Sequence, residues 1–152
     1  MQFEQKITEL GLTLPNVAAP AGSYLPALTS GNLVFTAGQL PIVEGKLVAT
    51  GKVGSEITLE EATELARKCI LNGLAAVKNE IGDLDRIKRI VKIVGFVSSD
   101  PSFTQQPQVI NGASDLLGEI FGEVGRHARS AVGVAVLPLD APVEIELIVE
   151  FD

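Results

Sequence analysis

Apolar or small residues at Ala62, Leu65, Ala66, Cys69, Ile70, Gly73, Leu74, Val77 and Ile81 recur three and four positions apart. That spacing lays side chains along one face of an α-helix. Thr58-Leu-Glu-Glu61 ahead of it has the form of a capping box, and Gly82 supplies the stop. At the end of the chain the period changes to two. Val143, Ile145, Leu147, Val149 and Phe151 alternate with Glu144, Glu146 and Glu150, which predicts a strand with one apolar and one acidic face.

Between these lies an Ile- and Val-rich run, residues 87–98, that reads as a long strand ended by Asp100-Pro101. A second helix is predicted over 107–121, closed by Gly122 and Gly125, and a short amphipathic one over 3–10. Residues 24–28 and 33–37 read as strands joined through Ser30-Gly31-Asn32, residues 47–49 as a further strand after Gly45, and 130–137 as another. The order β-β-β-α-β-α-β-β predicts an α+β sandwich, a mixed sheet with two helices on one face. We find no repeat and no linker, so residues 1–152 are expected to form one domain with a short helical extension at about 1–12.

Two features ask for a partner. Strand 87–98 is apolar on both faces while the helices cover one, and residues 10–43 carry no charge at all. Pro15, Pro20, Pro26 and Pro41 interrupt that run, so it does not span a membrane. Self-association would bury the second face of the sheet. Small residues on the strands (Ala37, Gly38, Ala131, Gly133 and Ala135) would allow close approach there, or serve ordinary packing within one subunit.

Composition narrows the chemistry. The chain has 152 residues, 12 Lys and Arg against 19 Asp and Glu, one Cys and one His. No disulfide framework or multi-cysteine metal site is available, and a reducing, cytoplasmic setting is expected. A formal charge of −7 disfavours nucleic acid as a partner. Gly51-Lys52 lacks the spacing of a phosphate loop, and no Gly-x-Ser-x-Gly elbow occurs. Cys69, on the apolar stripe, reads as a core thiol, and His127 as a surface or supporting loop residue.

Arg129 opens an otherwise uncharged strand, as a solvated end or as a receptor whose planar fork fits a carboxylate. Glu144 belongs to a solvated acidic face or to a site. If the last two strands form a hairpin centred on Asp140, Glu144 stands opposite position 136. Arg129 is then some 20 Å away within one chain, and the two could share a site only across a subunit boundary.

Several separated blocks resemble the Rid (YjgF-like) family of reactive-intermediate imine deaminases: Ala21-Gly-Ser-Tyr24, Thr36-Ala-Gly-Gln-Leu-Pro41, Ala128-Arg-Ser130, and Leu137-Pro138 through Val143-Glu-Ile-Glu146. The resemblance implies a chorismate-mutase-like fold, a homotrimer with clefts between subunits, and cofactor-free hydrolysis of enamines or imines to 2-keto acids and ammonia. It places the carboxylate-binding arginine at Arg129 and the water-positioning glutamate at Glu144. Tyr24, Gly38, Asn111 and Ser130 are expected to bind substrate. Ala37 and Ala131 stand where many members have serine and cysteine. A trimer that merely binds small carboxylates, and a ribonuclease, are the competing functions.

Overall fold

The computed structural model describes residues 2–152. Its elements in chain order are α1 (Gln2–Glu9), β1 (Ala27–Ser30), β2 (Leu33–Thr36), β3 (Ile42–Val43), β4 (Lys46–Leu47), α2 (Leu59–Ile81), β5 (Ile87–Ser98), α3 (Gln106–Phe121), β6 (Ala128–Val134) and β7 (Val143–Phe151). Five strands form one mixed sheet in the order β1-β2-β7-β5-β6, and β3 and β4 make a separate two-stranded ribbon. The α+β class follows as read.

The helix α2 forms where the apolar period and its caps agree. Thr58 Oγ1 accepts the Glu61 N–H at 3.1 Å, and Gly82, at φ +90°, donates its N–H to Lys78 O at 2.7 Å. Its buried stripe, with that of α3, covers one face of the sheet, meeting Ile90, Ile93 and Val97 of β5 and the apolar alternation of β7. Gly112 sets the helix–helix distance: a Cβ there would lie 2.2 Å from Thr63 O of α2. The short α1 packs through Phe3, whose ring lies tilted against that of Phe121 at 4.6 Å.

Several boundaries differ from the sequence reading. The first strand begins at Ala27 rather than Tyr24, because residues 21–26 bend so that the Ala21 N–H meets the Tyr24 hydroxyl at 3.1 Å. The turn to β2 is the two residues Gly31-Asn32, Ser30 pairing with Leu33, and Gly31 takes φ +61°. The element near Gly45 is the ribbon Ile42–Leu47, not a strand of the main sheet. β6 spans Ala128–Val134 and leaves the sheet early, where the Lys52 ammonium caps Ala135 O.

A larger correction concerns topology. The last two strands do not form a hairpin: β5 lies between them, parallel to β6 and antiparallel to β7. The Pro138–Asp140 turn, with Leu139 and Asp140 both at φ +59°, carries the chain past the end of β5 instead of folding it back. The face away from the helices carries Leu28, Phe35, Lys92, Val94, Phe96 and Ile148, with Ser130 and Val132 from β6 and Glu144, Glu146 and Glu150 from β7. Leu28 is 55%, Phe35 39% and Val132 44% exposed, so this apolar face lacks a cover among the described residues. Among the described residues no helix is long and apolar enough to cross a membrane.

Candidate functional site

Register fixes where the two candidate charged residues stand. Arg129 is level with Ile93 and Leu147, whereas Glu144 is level with Phe96 and Val132. They are therefore two strands and three rows apart, about 10 Å in each direction. They also point to opposite sides. Arg129 shares the helix-facing side with Ile93, and Glu144 shares the open side with Phe96. The 20 Å hairpin estimate is replaced by a separation through the sheet, and within one chain the two groups cannot meet.

One half of the candidate site gathers around Glu144. Gly38 follows the end of β2, and its backbone passes so close to the acid that a Cβ would lie 2.7 Å from Glu144 Cδ and 2.8 Å from Oε2. Glycine is the residue that leaves room for the carboxylate. The next residue, Gln39, ties this loop to β7 by exchanging backbone hydrogen bonds with Ile145 at 2.8 and 3.0 Å. Ala37, just before, donates its N–H to Pro26 O at 2.9 Å, which anchors the bend carrying the half-exposed Tyr24. Glu144 is half-buried, and among the described residues no hydrogen bond or ion pair reaches its carboxylate. Burial first, and the like charge of Glu146 second, push its pKa above the ordinary carboxylate value. An acid in that position is open to a cation or a proton.

The other half lies at the β6 edge. The Arg129 guanidinium donates to Ser114 Oγ at 3.1 Å and to Pro107 O at 3.2 Å. Pro107, Asn111 and Ser114 fall four and three residues apart on α3, so they form one stripe, and Arg129 touches both its ends. Asn111, exposed, is the middle residue of that stripe, between the two residues the guanidinium touches. Ser130 is not. It pairs with Val94 on the open side, facing away from Arg129.

Sequence reasoning missed Ser114. A serine within a helix carries no signal of its own, and the 107/111/114 spacing gains meaning once β6 is known to lie against α3. Cys69 is fully buried with its thiol 3.6 Å from Val143 O, and desolvation, then the Glu144 charge, push its pKa well up. It is the inert core thiol expected. A shallow depression of about 100 Å³ on the open side, among Phe35, Lys92, Val94, Glu146 and Ile148, lies beside the acidic row. Among the described residues no group of three His, Cys, Asp or Glu side chains is placed to hold a metal ion.

Comparison with known proteins points to one family whose members carry different functional names. The family model described as "YjgF/chorismate mutase-like, putative endoribonuclease" matches residues 4–151. Protein TCP17 of Trypanosoma cruzi is 47% identical over 147 residues, covering 96% of this chain and 92% of that protein. A crystal structure of a protein of unknown function from Agrobacterium tumefaciens superposes with a TM-score of 0.93 at 47% identity, covering 99% of this chain and 94% of the other. The 2-iminobutanoate/2-iminopropanoate deaminase of Dermatophagoides farinae is 30% identical over 139 residues, covering 91% of this chain and 93% of that enzyme.

Proposed function

The chain belongs to the YjgF/chorismate-mutase-like (Rid) family, and on that premise we propose that it hydrolyses enamine or imine derivatives of 2-keto acids in crevices between copies of itself. The observation that carries the reading is the division of the site. Arg129 with Asn111 stands at one edge of the sheet and Glu144 with Gly38 and Tyr24 on the open face, and among the described residues the two halves do not meet within one chain. A homotrimer that covers the exposed apolar face and sets the β6 edge of one copy beside the open face of the next would complete it.

In that crevice three of the five Arg129 N–H donors remain after Ser114 and Pro107 are served. They fit a carboxylate in the plane of the guanidinium, fixing the substrate's orientation. The enamine tautomerises to the imine, and water adds to the C=N carbon. Glu144 takes the proton from that water and returns one to nitrogen. The resulting carbinolamine collapses to the ketone and ammonia. A carboxylate whose pKa is raised by burial is a stronger base than a solvated one, which suits the first of those transfers. Tyr24, half-exposed at the rim, packs against the substrate.

A binding function without turnover is the second reading, and a specific feature favours it: Ala37 and Ala131 bring neither hydroxyl nor thiol to positions beside Gly38 and Arg129. Ribonuclease activity is disfavoured by the −7 charge and by the acidic row Glu144, Glu146, Glu150. The test is the release of ammonia and 2-keto acid from iminoacids generated in situ. Turnover that disappears in Arg129→Ala and Glu144→Ala supports the deaminase. Ketoacid binding without turnover supports the second reading, and turnover unchanged in Arg129→Ala contradicts the mechanism.

A further inference from the structure

Arg129 is held in place by a chain of hydrogen bonds that runs into the loop before its own strand. The Nη1 donates to Ser114 Oγ at 3.1 Å; Ser114 Oγ lies 2.9 Å from His127 Nε2; and His127 Nδ1 lies 2.7 Å from Gly125 O. Donor logic orders this chain for a neutral imidazole. A carbonyl oxygen is an acceptor, so Nδ1 carries the imidazole hydrogen and Nε2 is left as an acceptor. The serine hydroxyl then donates to Nε2, which turns its lone pairs toward the guanidinium. Each atom has one role, and the direction of the whole chain is set at a backbone carbonyl.

The local fold builds that starting point. The turn Gly122–Gly125 closes α3, and Gly125 presses so tightly on the helix that a Cβ would lie 2.4 Å from Leu117 O. Its carbonyl is thereby fixed relative to α3, and the ring two residues later is aimed back at Ser114, one stripe position from Asn111. All three side chains are half-buried, so their hydrogen bonds are partly shielded from water.

We infer that Ser114 and His127 are positioning residues that lock the Arg129 guanidinium in the plane that receives a 2-keto carboxylate. The inference rests on Arg129 being the carboxylate receptor, and it adds two residues outside the blocks that carry the family resemblance to the determinants of affinity. The pair also resembles a Ser–His nucleophilic dyad at first sight. The Arg129 N–H on Ser114 Oγ opposes that role, since it holds down the electron pair a nucleophile would use.

The experiment is a calorimetric titration of the intact protein with 2-oxobutanoate, joined to ¹⁵N NMR of its one histidine. The wild type is expected to show the Nδ1–H tautomer. Ser114→Ala and His127→Ala are each expected to weaken 2-oxobutanoate binding roughly tenfold, the scale of a hydrogen bond to a charged group. His127→Gln, whose amide oxygen can accept from Ser114, is expected to recover most of that loss, which a purely structural role for the ring would not produce. Several results overturn the inference. One is an Nε2–H tautomer in the wild type, and another is labelling of Ser114 by a fluorophosphonate. A third is wild-type affinity in both alanine variants while Arg129→Ala has lost binding; that leaves the receptor intact and removes the relay alone. Wild-type affinity in Arg129→Ala instead removes the receptor, and the relay with it.

Discussion

The carboxyl group of Glu144 occupies the space that a side chain at position 38 would need, with 2.7 Å between a Cβ on Gly38 and Glu144 Cδ. Gly38 has an ordinary negative φ, so its value lies in that vacancy rather than in backbone freedom. Gly38→Ala is therefore expected to displace the acid rather than unfold the loop. We expect iminoacid turnover to fall roughly a hundredfold, as for an ångström-scale misplacement of a catalytic group. The melting temperature should move by no more than about 4 °C. Steady-state kinetics beside a thermal melt checks both parts. Unchanged turnover would remove Glu144 from the site.

Glu146 sits on the same side of β7 as Glu144 and helps hold its proton. The folded-state pKa of Glu144 is raised, so its stability contribution is fully present below the unfolded carboxyl value near 4.5 and is lost as pH rises through the folded value. Glu146→Gln removes the like charge and lowers the folded pKa. The acid limb of the turnover profile should then shift to lower pH, and Glu144→Gln should raise stability at neutral pH but not below pH 4. Rates and melts across pH read both effects. A shift to higher pH in Glu146→Gln would contradict the assignment.

Gly112 marks the closest approach of α3 to α2, facing a backbone carbonyl that cannot rotate away. Gly112→Ala is expected to separate the helices and cost about 3 kcal/mol of stability, measured by urea unfolding, despite alanine's better helix propensity. A stabilised variant would mean that the crossing is looser than described.

Phe35 and Val94 lie on the uncovered side of the sheet around the shallow depression beside Glu146. Phe35→Lys is expected to convert the assembly to single chains in sedimentation velocity and to abolish turnover while the far-ultraviolet spectrum is retained. A wild-type protein that sediments as one chain at working concentration would refute the shared-crevice account before any mutant is made.

Elements with a strong local code were legible in the sequence. The stripe Ala62 to Ile81 with Thr58 and Gly82, and the alternation Val143 to Phe151, carry their geometry in their own periods. The pairing of β6 was not. Strands adjacent in sequence usually pair, and the connection from Ala135 to Pro142 gives no local sign that it passes another strand. That misreading also misjudged the path from Arg129 to Glu144, although the conclusion that they cannot meet within one chain survives for a different reason. Tyr24 was read as a strand residue because its neighbours are apolar, whereas its own hydroxyl closes a bend on Ala21. Ser114 and the aim of His127 had no sequence signal, because both depend on which helix lies under β6.

The central claim is that Arg129 from one copy and Glu144 from another line the same crevice, and subunit complementation tests it most directly. Arg129→Ala and Glu144→Ala chains, each inactive alone, are unfolded together in equal amounts and refolded. With random assembly in a closed ring, about a quarter of the crevices would regain both native groups. The account predicts recovery of about that fraction of wild-type turnover. No recovery, with mixed assemblies verified by mass, would mean that the two groups act within one chain or do not act together.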